Sequence, residues 1–246
     1  MPSMWSEVTP SQKEIDDHEL THIQFRSWCK HCVFGRVQSH PHHADKESEQ
    51  SGHPTISWDY CYMKTDDTRV EDEGEFPAVV WKDSMSKTVG SPVGDSQSNG
   101  DVESAAKQVR GQFRTMRSDM ETNYNKVLPA THHVMPFIVR HTGGTINREQ
   151  IGEDGMTAHK RLRGKKFKTE IQKIGECVWF LRPKSKGKMK ADYRWLNGIW
   201  LGVREESGEY IVGTPGGTIK CGTCRRKGIP EDRWKLDEFQ SLTELP

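Results

Sequence analysis

The stretch His18-Glu-Leu-Thr-His22-Ile-Gln-Phe-Arg-Ser-Trp-Cys29-Lys-His-Cys32 contains four side chains of the types that bind transition metals. Histidines at positions i and i+4 share one face of a helix, and a Cys-x-x-Cys turn aims two thiolates at one point. Together the four residues supply the soft and borderline ligands of a tetrahedral zinc site. The spacing therefore predicts a zinc module with His18, His22, Cys29 and Cys32 as ligands.

Two other interpretations of this stretch stay open at the level of sequence. Cys29 and Cys32 are followed by His40, His42 and His43, which offer a rival ligand set for the same metal. The second alternative is a polar segment that binds no metal.

The composition favours small modules on polar linkers over one extensive core. Of the 246 residues, 33% are hydrophobic, and the mean hydropathy is −0.84. No apolar run has the length of a membrane span, and the first residues carry no signal-peptide pattern, so a soluble, non-secreted protein is expected. A reducing compartment favours metal binding over disulfides for the six cysteines. A second Cys-x-x-Cys pair, Cys221 and Cys224, lacks local partner ligands and is interpreted as coincidental.

The net charge of +1 conceals an asymmetry between the two ends of the chain. Residues 1–103 contain 9 Lys or Arg against 19 Asp or Glu, whereas residues 156–235 contain 20 against 8. A basic C-terminal third indicates a polyanionic partner, because Lys and Arg that neutralise phosphates release condensed counterions. DNA is the partner that this charge pattern and the motifs below predict.

A β-hairpin is predicted after the polar linker of residues 37–52. Residues 55–63 alternate between two faces, which is the period of a strand, and residues 76–81 predict a second strand that returns beside the first. Residues 102–124 then predict a helix, since apolar side chains recur at three- and four-residue steps. A looser helical pattern covers about residues 129–149, where Gly143-Gly144 is expected to break the helix.

The last third of the chain changes to a β pattern. Short strands are predicted at Cys177–Leu181, Gly198–Val203, Tyr210–Gly213 and Thr218–Thr223, with turns at Ser207-Gly208 and Pro215-Gly216-Gly217. Strands this short and closely spaced indicate a small barrel.

The segment Ser91-Pro-Val-Gly-Asp-Ser-Gln-Ser-Asn-Gly-Asp-Val-Glu103 resembles the loop and helix start that carry the last catalytic carboxylate of retrotransposon and retroviral integrases. The stretch 18–32 likewise resembles the His-His-Cys-Cys module that precedes the catalytic domain in copia-like element polyproteins, although its interval from His22 to Cys29 is much shorter than in retroviral integrases. Further landmarks of these polyproteins match Gly152-Glu-Asp-Gly-Met-Thr157, Arg161-Leu-Arg-Gly164 and Gly175-Glu-Cys-Val178. The resemblance extends from about His18 to Trp234.

The resemblance implies an RNase H-like core in which Asp59 and Glu103 are catalytic residues that bind Mg²⁺. Phosphodiester transesterification requires stabilisation of both the attacking and the leaving oxygen, which two Mg²⁺ ions bridged by three carboxylates provide. Asp59 and Glu103 are 44 positions apart (103 − 59), and the family fits two further strands, a helix and the strand with the middle Asp into this interval. That middle carboxylate is missing here. Asp83, in a non-catalytic turn of the family, and Asp95, in the loop, are weak substitutes.

A row of basic residues follows Glu103 on the predicted helix. Lys107, Arg110, Arg114 and Arg117 recur at three- and four-residue steps, so they form a stripe on one face that either contacts phosphates or is simply solvated. The C-terminal strands resemble the SH3-like barrel of these integrases. Their basic residues, Arg225 and Arg226 among them, are expected to contact a DNA backbone. Trp195, Trp200 and Trp234 are candidates for the same contact or for the barrel core.

The sequence thus predicts an α+β, multi-module protein. Its parts are a zinc-module region at residues 1–36, the linker at 37–52, a truncated RNase H-like core at 53–165 and a basic SH3-like barrel at 174–236. By resemblance, the function is integration of retrotransposon DNA through Mg²⁺-dependent 3′-end processing and strand transfer, impaired by the missing Asp. The alternatives are a non-catalytic nucleic-acid-binding protein and a non-functional element remnant. Nuclear localisation and homo-oligomerisation are expected from the family, and a membrane partner is not.

Overall fold

The computed structural model describes residues 10–36, 56–63, 76–83, 100–152, 154–181, 193–205 and 207–242. For residues 56–63, 76–83 and 100–102 it describes the backbone alone. The helices are α1 (Gln12–Thr21), α2 (Lys30–Arg36), α3 (Gly100–Tyr124), α4 (Met135–Glu149), α5 (Ala158–Arg163) and α6 (Leu236–Gln240). The strands are β1 (Ile56–Met63), β2 (Phe76–Asp83), β3 (Cys177–Leu181), β4 (Trp195–Val203), β5 (Tyr210–Thr214), β6 (Gly217–Cys221) and β7 (Cys224–Arg226). The predicted linker 37–52 and the loop before α3 lie outside the described residues.

The protein is α+β, with a two-stranded hairpin and a five-stranded antiparallel sheet. The hairpin has the predicted strands, and Trp58 of β1 lies opposite Trp81 of β2 in its antiparallel register. The helix predicted at residues 102–124 is confirmed as α3, which packs beside this hairpin. The α+β class expected from the sequence is therefore confirmed.

Helix α4 differs from its prediction in where it begins and in its continuity through the glycine pair. It begins at Met135 rather than near Pro129, and it continues through Gly143-Gly144 without a break. The predicted break is wrong because Gly144 faces the protein interior, where a Cβ atom would lie 2.8 Å from Glu205 Oε1. The absence of a side chain lets the helix approach the end of β4, and this tertiary packing outweighs the low helical propensity of glycine.

The five-stranded sheet has the order β6-β5-β4-β3-β7. The strand predicted at residues 218–223 is confirmed only as far as Cys221, where β6 ends, and a further short strand that was not predicted, β7, begins at Cys224 and pairs with β3 at the other side of the sheet. Only Gly222-Thr223 separates these two edge strands, and three residue steps reach at most about 11 Å. Five flat strands would place their edges about 19 Å apart. The sheet must therefore curl strongly toward closure.

Helices α3 and α4 share one hydrophobic core with this curled sheet. Met120, Ile138 and Trp200 are buried in it together. Tyr124 of α3 stacks on Phe239 with ring centroids 4.3 Å apart, and its hydroxyl donates a hydrogen bond of 2.6 Å to the Gly175 carbonyl. Burial of large apolar side chains from both parts ties the helices and the sheet into one packed unit.

Helix α2 lies on the opposite side of α3 at very close range. A Cβ atom on Gly35 would lie 2.2 Å from Thr115 Oγ1 and 2.9 Å from the Gly111 carbonyl oxygen. No side chain fits at this crossing, so Gly35 allows the two backbones to meet. The contact brings the end of the predicted zinc module directly against α3.

Candidate metal centre

Two short helices present the four predicted metal ligands. A capping box starts α1: the Glu14 amide donates to the Ser11 side chain, and the Glu14 carboxylate accepts from the Ser11 amide. His18 lies in the last turn of α1, and His22 ends the helix in the left-handed conformation with φ 50°. The chain then reverses, so that the residues before α2 return to the two histidines.

Cys29 and Cys32 belong to the start of α2. Cys29 immediately precedes the helix, its carbonyl accepts a hydrogen bond from the Val33 amide, and Cys32 lies in the first turn. Both thiols therefore lie at a helix N-terminus, where the peptide dipoles favour negative charge.

The ligand atoms converge at distances that suit zinc. Cys29 Sγ lies 3.5 Å from His22 Nδ1, and Cys32 Sγ lies 3.3 Å from His18 Nε2. All four ligand atoms lie within 4.8 Å of one another, and all four residues are buried. In a tetrahedral zinc site a sulfur and a nitrogen ligand are about 3.6 Å apart. This cluster can therefore hold a metal ion such as zinc.

The environment favours the thiolate form that a metal requires. The hydrogen bond with Cys32, with further hydrogen bonds from His18 and His22, holds the pKa of Cys29 far below its usual range. The same thiol–thiol bond and burial raise the pKa of Cys32. One thiolate is thus stabilised by the protein, and a bound cation would stabilise the second in the same way.

Asp119 of α3 lies beside His22, on the side of the ring away from the two cysteines. Its Oδ2 lies 3.9 Å from His22 Nε2, the ring nitrogen that does not face the cysteines, and this buried nitrogen has no closer partner among the described atoms. Burial lowers the pKa of His22, but the contacts with Asp119 and Cys29 outweigh it and raise the pKa overall. A carboxylate on the second ring nitrogen orients a metal-bound histidine and makes it a stronger ligand.

Two further side chains, His31 and Lys173, approach the same carboxylate, and burial lowers the pKa of His31, so Lys173 is the cation of this pair. His31 Nε2 and Lys173 Nζ lie 3.5 Å and 3.6 Å from Asp119 Oδ1. Burial raises the pKa of Asp119, but the nearby His22 ring and the charge of Lys173 more than offset this effect and lower the pKa. Lys173 Nζ also donates to Glu19 Oε2 at 2.6 Å. The site is thereby connected to α3 and to the segment before β3.

The candidate catalytic carboxylates are placed less completely. Asp59 lies on β1 opposite Val80, and Asp83 lies opposite Ile56 rather than opposite Asp59. Glu103 is exposed in the first turn of α3, the helix that packs beside β1. Asp95 is outside the described residues, as are His40, His42 and His43 of the rival ligand set. The sequence prediction of a two-carboxylate site at Asp59 and Glu103 stays a prediction.

The predicted basic residues divide into two groups. Lys107, Arg110, Arg114 and Arg225 are exposed. Arg117 and Arg226 are engaged inside the protein: Arg117 pairs with Glu121 at 2.9 Å and donates to the Leu128 carbonyl. Arg226 Nε donates to the fully buried Glu176 at 2.5 Å. The exposed members are the ones available to phosphates.

Several functional residues of this centre escape sequence reasoning. Asp119 is one acidic residue in a helical pattern. No sequence motif relates Lys173 or His31 to it. The available signal for Asp119 was its position on the apolar side of α3, one residue before the buried Met120. Cys221 and Cys224 are buried free thiols, and among the described residues they do not form a metal-ligand group.

A comparison of the two Cys-x-x-Cys pairs tests the metal centre. The purified protein is expected to bind about one zinc per chain, and the double variant Cys29→Ser/Cys32→Ser is expected to lose it, because both thiolate ligands are removed. The matched variant Cys221→Ser/Cys224→Ser has the same spacing and should keep its zinc. Zinc per folded chain is measured by elemental analysis after dialysis, and equal zinc in both variants would contradict the assignment.

The role of Asp119 is tested by Asp119→Asn. Loss of the carboxylate behind His22 should weaken zinc binding by about 10- to 100-fold, measured by competition with a chromophoric chelator. Glu121→Gln, two residues further along the same helix, removes a charge that pairs with Arg117 and should leave the zinc affinity within about twofold. An unchanged affinity in Asp119→Asn would show that the carboxylate does not support the metal.

None of the described helices combines the length and the apolar character needed to cross a bilayer. No family model matches the chain, and no curated protein or solved structure matches it.

Proposed function

We propose that this chain is an integrase-like protein of a copia-type retrotransposon in which strand-transfer catalysis is lost. The observation that carries the proposal is the buried His18, His22, Cys29 and Cys32 cluster, packed through α2 and Asp119 against α3, the helix with Glu103 in its first turn. The resemblance sets such a module before the helix that carries the last catalytic carboxylate. Metal binding and helix placement are thus both accounted for by one ancestry.

The remaining elements support the same assignment. The β1–β2 hairpin beside α3 corresponds to the first two strands of an RNase H-like core, with Asp59 on the first. The curled, antiparallel sheet that follows corresponds to the SH3-like barrel. Both finer fold names rest on the resemblance and belong to the proposal.

Loss of catalysis follows from the carboxylate count. Two Mg²⁺ ions need a cage of clustered carboxylates, and Asp59 with Glu103 supplies two of the three. Asp83 is displaced from Asp59 in the hairpin register. Asp59 and Glu103 would hold the metal ions, and a cage without the third carboxylate would stabilise the developing charge of the transition state less than a complete one.

The activity test uses a labelled double-stranded DNA end with Mg²⁺ or Mn²⁺. Purified protein is expected to give no 3′-end processing or strand transfer, because the metal cage is incomplete. Asp59→Ala is the control variant that distinguishes residual activity from a contaminating nuclease. Product formation by the wild-type chain that Asp59→Ala abolishes would contradict the proposed loss of catalysis.

A second candidate function, non-catalytic binding of duplex nucleic acid, is favoured by the exposed row Lys107, Arg110 and Arg114 on α3. Affinity for duplex DNA should fall steeply with salt, and Arg110→Ala/Arg114→Ala should lower the slope of log K against log salt by about 1.8. Lys13→Ala/Arg26→Ala removes two exposed positive charges elsewhere and should leave the slope unchanged. Fluorescence anisotropy over a salt series measures both. A response that does not depend on salt would exclude phosphate binding, as expected for a non-functional remnant.

A further inference from the structure

One face of the five-stranded sheet presents aromatic and basic side chains to solvent. Arg225 of β7, Trp179 of β3 and Asn197 of β4 are direct partners across three adjacent strands, so their side chains share this face. Trp195 lies two residues before Asn197 on β4 and is therefore on the same face. These residues, with Tyr193 and Leu196, line a shallow cavity of about 560 Å³, and the six are called the aromatic face below.

The exposure of these rings is unusual for residues of this type. Trp179 is 43% exposed, Trp195 is 37% exposed and Tyr193 is 91% exposed. Trp200, which also lies on β4, is fully buried and belongs to the core. Large rings on a regular strand normally face the core, and a contiguous exposed group of them marks a binding surface. The burial pattern of β3 shows that Trp179 points away from the core while Val178 and Phe180 enter it.

The charge beside the rings indicates the class of ligand. The Arg225 guanidinium lies 5.3 Å from the centroid of the Trp195 ring, so a fixed positive charge stands beside the exposed rings. No carboxylate is among the described residues that line the cavity. A methylated lysine or another cation would be repelled by this fixed charge. A ligand that combines flat rings with negative charge fits both features.

Nucleotides combine these two properties. Bases stack on exposed tryptophan and tyrosine rings, and an arginine within the same surface pairs with phosphate. Trp179 and Trp195 occupy diagonal positions on neighbouring strands, about 7–8 Å apart. The bases must be unpaired to lie on a sheet face, since stacked base pairs of a duplex expose only their edges. The wider charge of the region agrees, with 20 Lys or Arg against 8 Asp or Glu over residues 156–235.

We propose that the aromatic face binds unpaired nucleotides of a single-stranded nucleic acid, with bases stacked on Trp179 and Trp195 and a phosphate paired with Arg225. This site goes beyond the duplex contacts proposed for α3. It requires neither the metal centre nor the carboxylates, because its residues lie on the sheet or, for Tyr193, just before β4. A protein partner would use the same aromatic side chains, but the positive charge of Arg225, beside which the described lining has no carboxylate, favours the polyanion.

The test measures binding of fluorescein-labelled 12-mers of thymidine (DNA) and of uridine (RNA) to the full chain. Trp179→Ala and Trp195→Ala should each weaken binding by roughly 5- to 100-fold, because stacking contributes about 1–3 kcal/mol per base. Trp195→Phe keeps a ring and should restore most of the affinity. Phe34→Ala removes a more exposed ring, on α2, and should leave the single-strand affinity unchanged. Circular dichroism of each variant confirms that the fold is retained.

The outcomes separate this site from the function proposed above. Loss of single-strand binding in the tryptophan variants, with duplex binding intact, supports the aromatic face, whether the DNA or the RNA strand binds more tightly. Single-strand binding by a protein that fails to bind duplex DNA would also support the aromatic face, and it would contradict only the proposed duplex binding. Equal single-strand affinity in the wild type and in the Trp179→Ala/Trp195→Ala double variant overturns the proposal. Self-association that the double variant abolishes, without any nucleotide binding, overturns it in favour of a protein interface.

Discussion

The buried carboxylate of Asp119 is the constraint on which the arrangement of this protein depends. Removal of a carboxylate from water is costly unless charges and hydrogen-bond donors surround it. His22, His31 and Lys173 provide that surrounding, and each comes from a different segment of the chain. The charge requirement therefore holds the metal-binding region, α3 and the entrance to the five-stranded sheet in one arrangement. Asn123 of α3 adds a donor at 3.1 Å.

Helix α3 is the element against which these parts pack. One side of it meets α2, where Gly35 allows close backbone approach, and another side enters the core shared with α4 and the sheet. This explains why buried residues of α3 include polar groups such as Gln112 and Thr115 beside apolar ones such as Met116. A helix buried on several sides draws its stability from tertiary packing. The stability of α3 therefore does not depend on its contact with the β1–β2 hairpin alone.

Much of the secondary structure was predictable because local pattern and final environment agree. The alternation over residues 56–63 predicts the strand β1, and the helical period over residues 102–124 predicts the helix α3. The predictions failed where a contact distant in sequence decides. Gly144 stays helical because it lies on the buried side of α4, and β6 ends at Cys221 because the next residues pair with β3 as β7. Neither the burial nor the pairing is visible in a local window.

The sequence by itself was enough to predict the four residues of the His/Cys cluster that can hold a metal ion and the basic character of the C-terminal third, because ligand chemistry and charge are properties of residue types and short spacings. Only the tertiary structure decided which groups support the ligands and which basic residues remain exposed. Asp119 reaches His22 across 97 positions (119 − 22), and Arg226 turns inward to neutralise Glu176 while its neighbour Arg225 stays in solvent. Burial decides these roles, and burial depends on the packing of the whole chain rather than on any single segment.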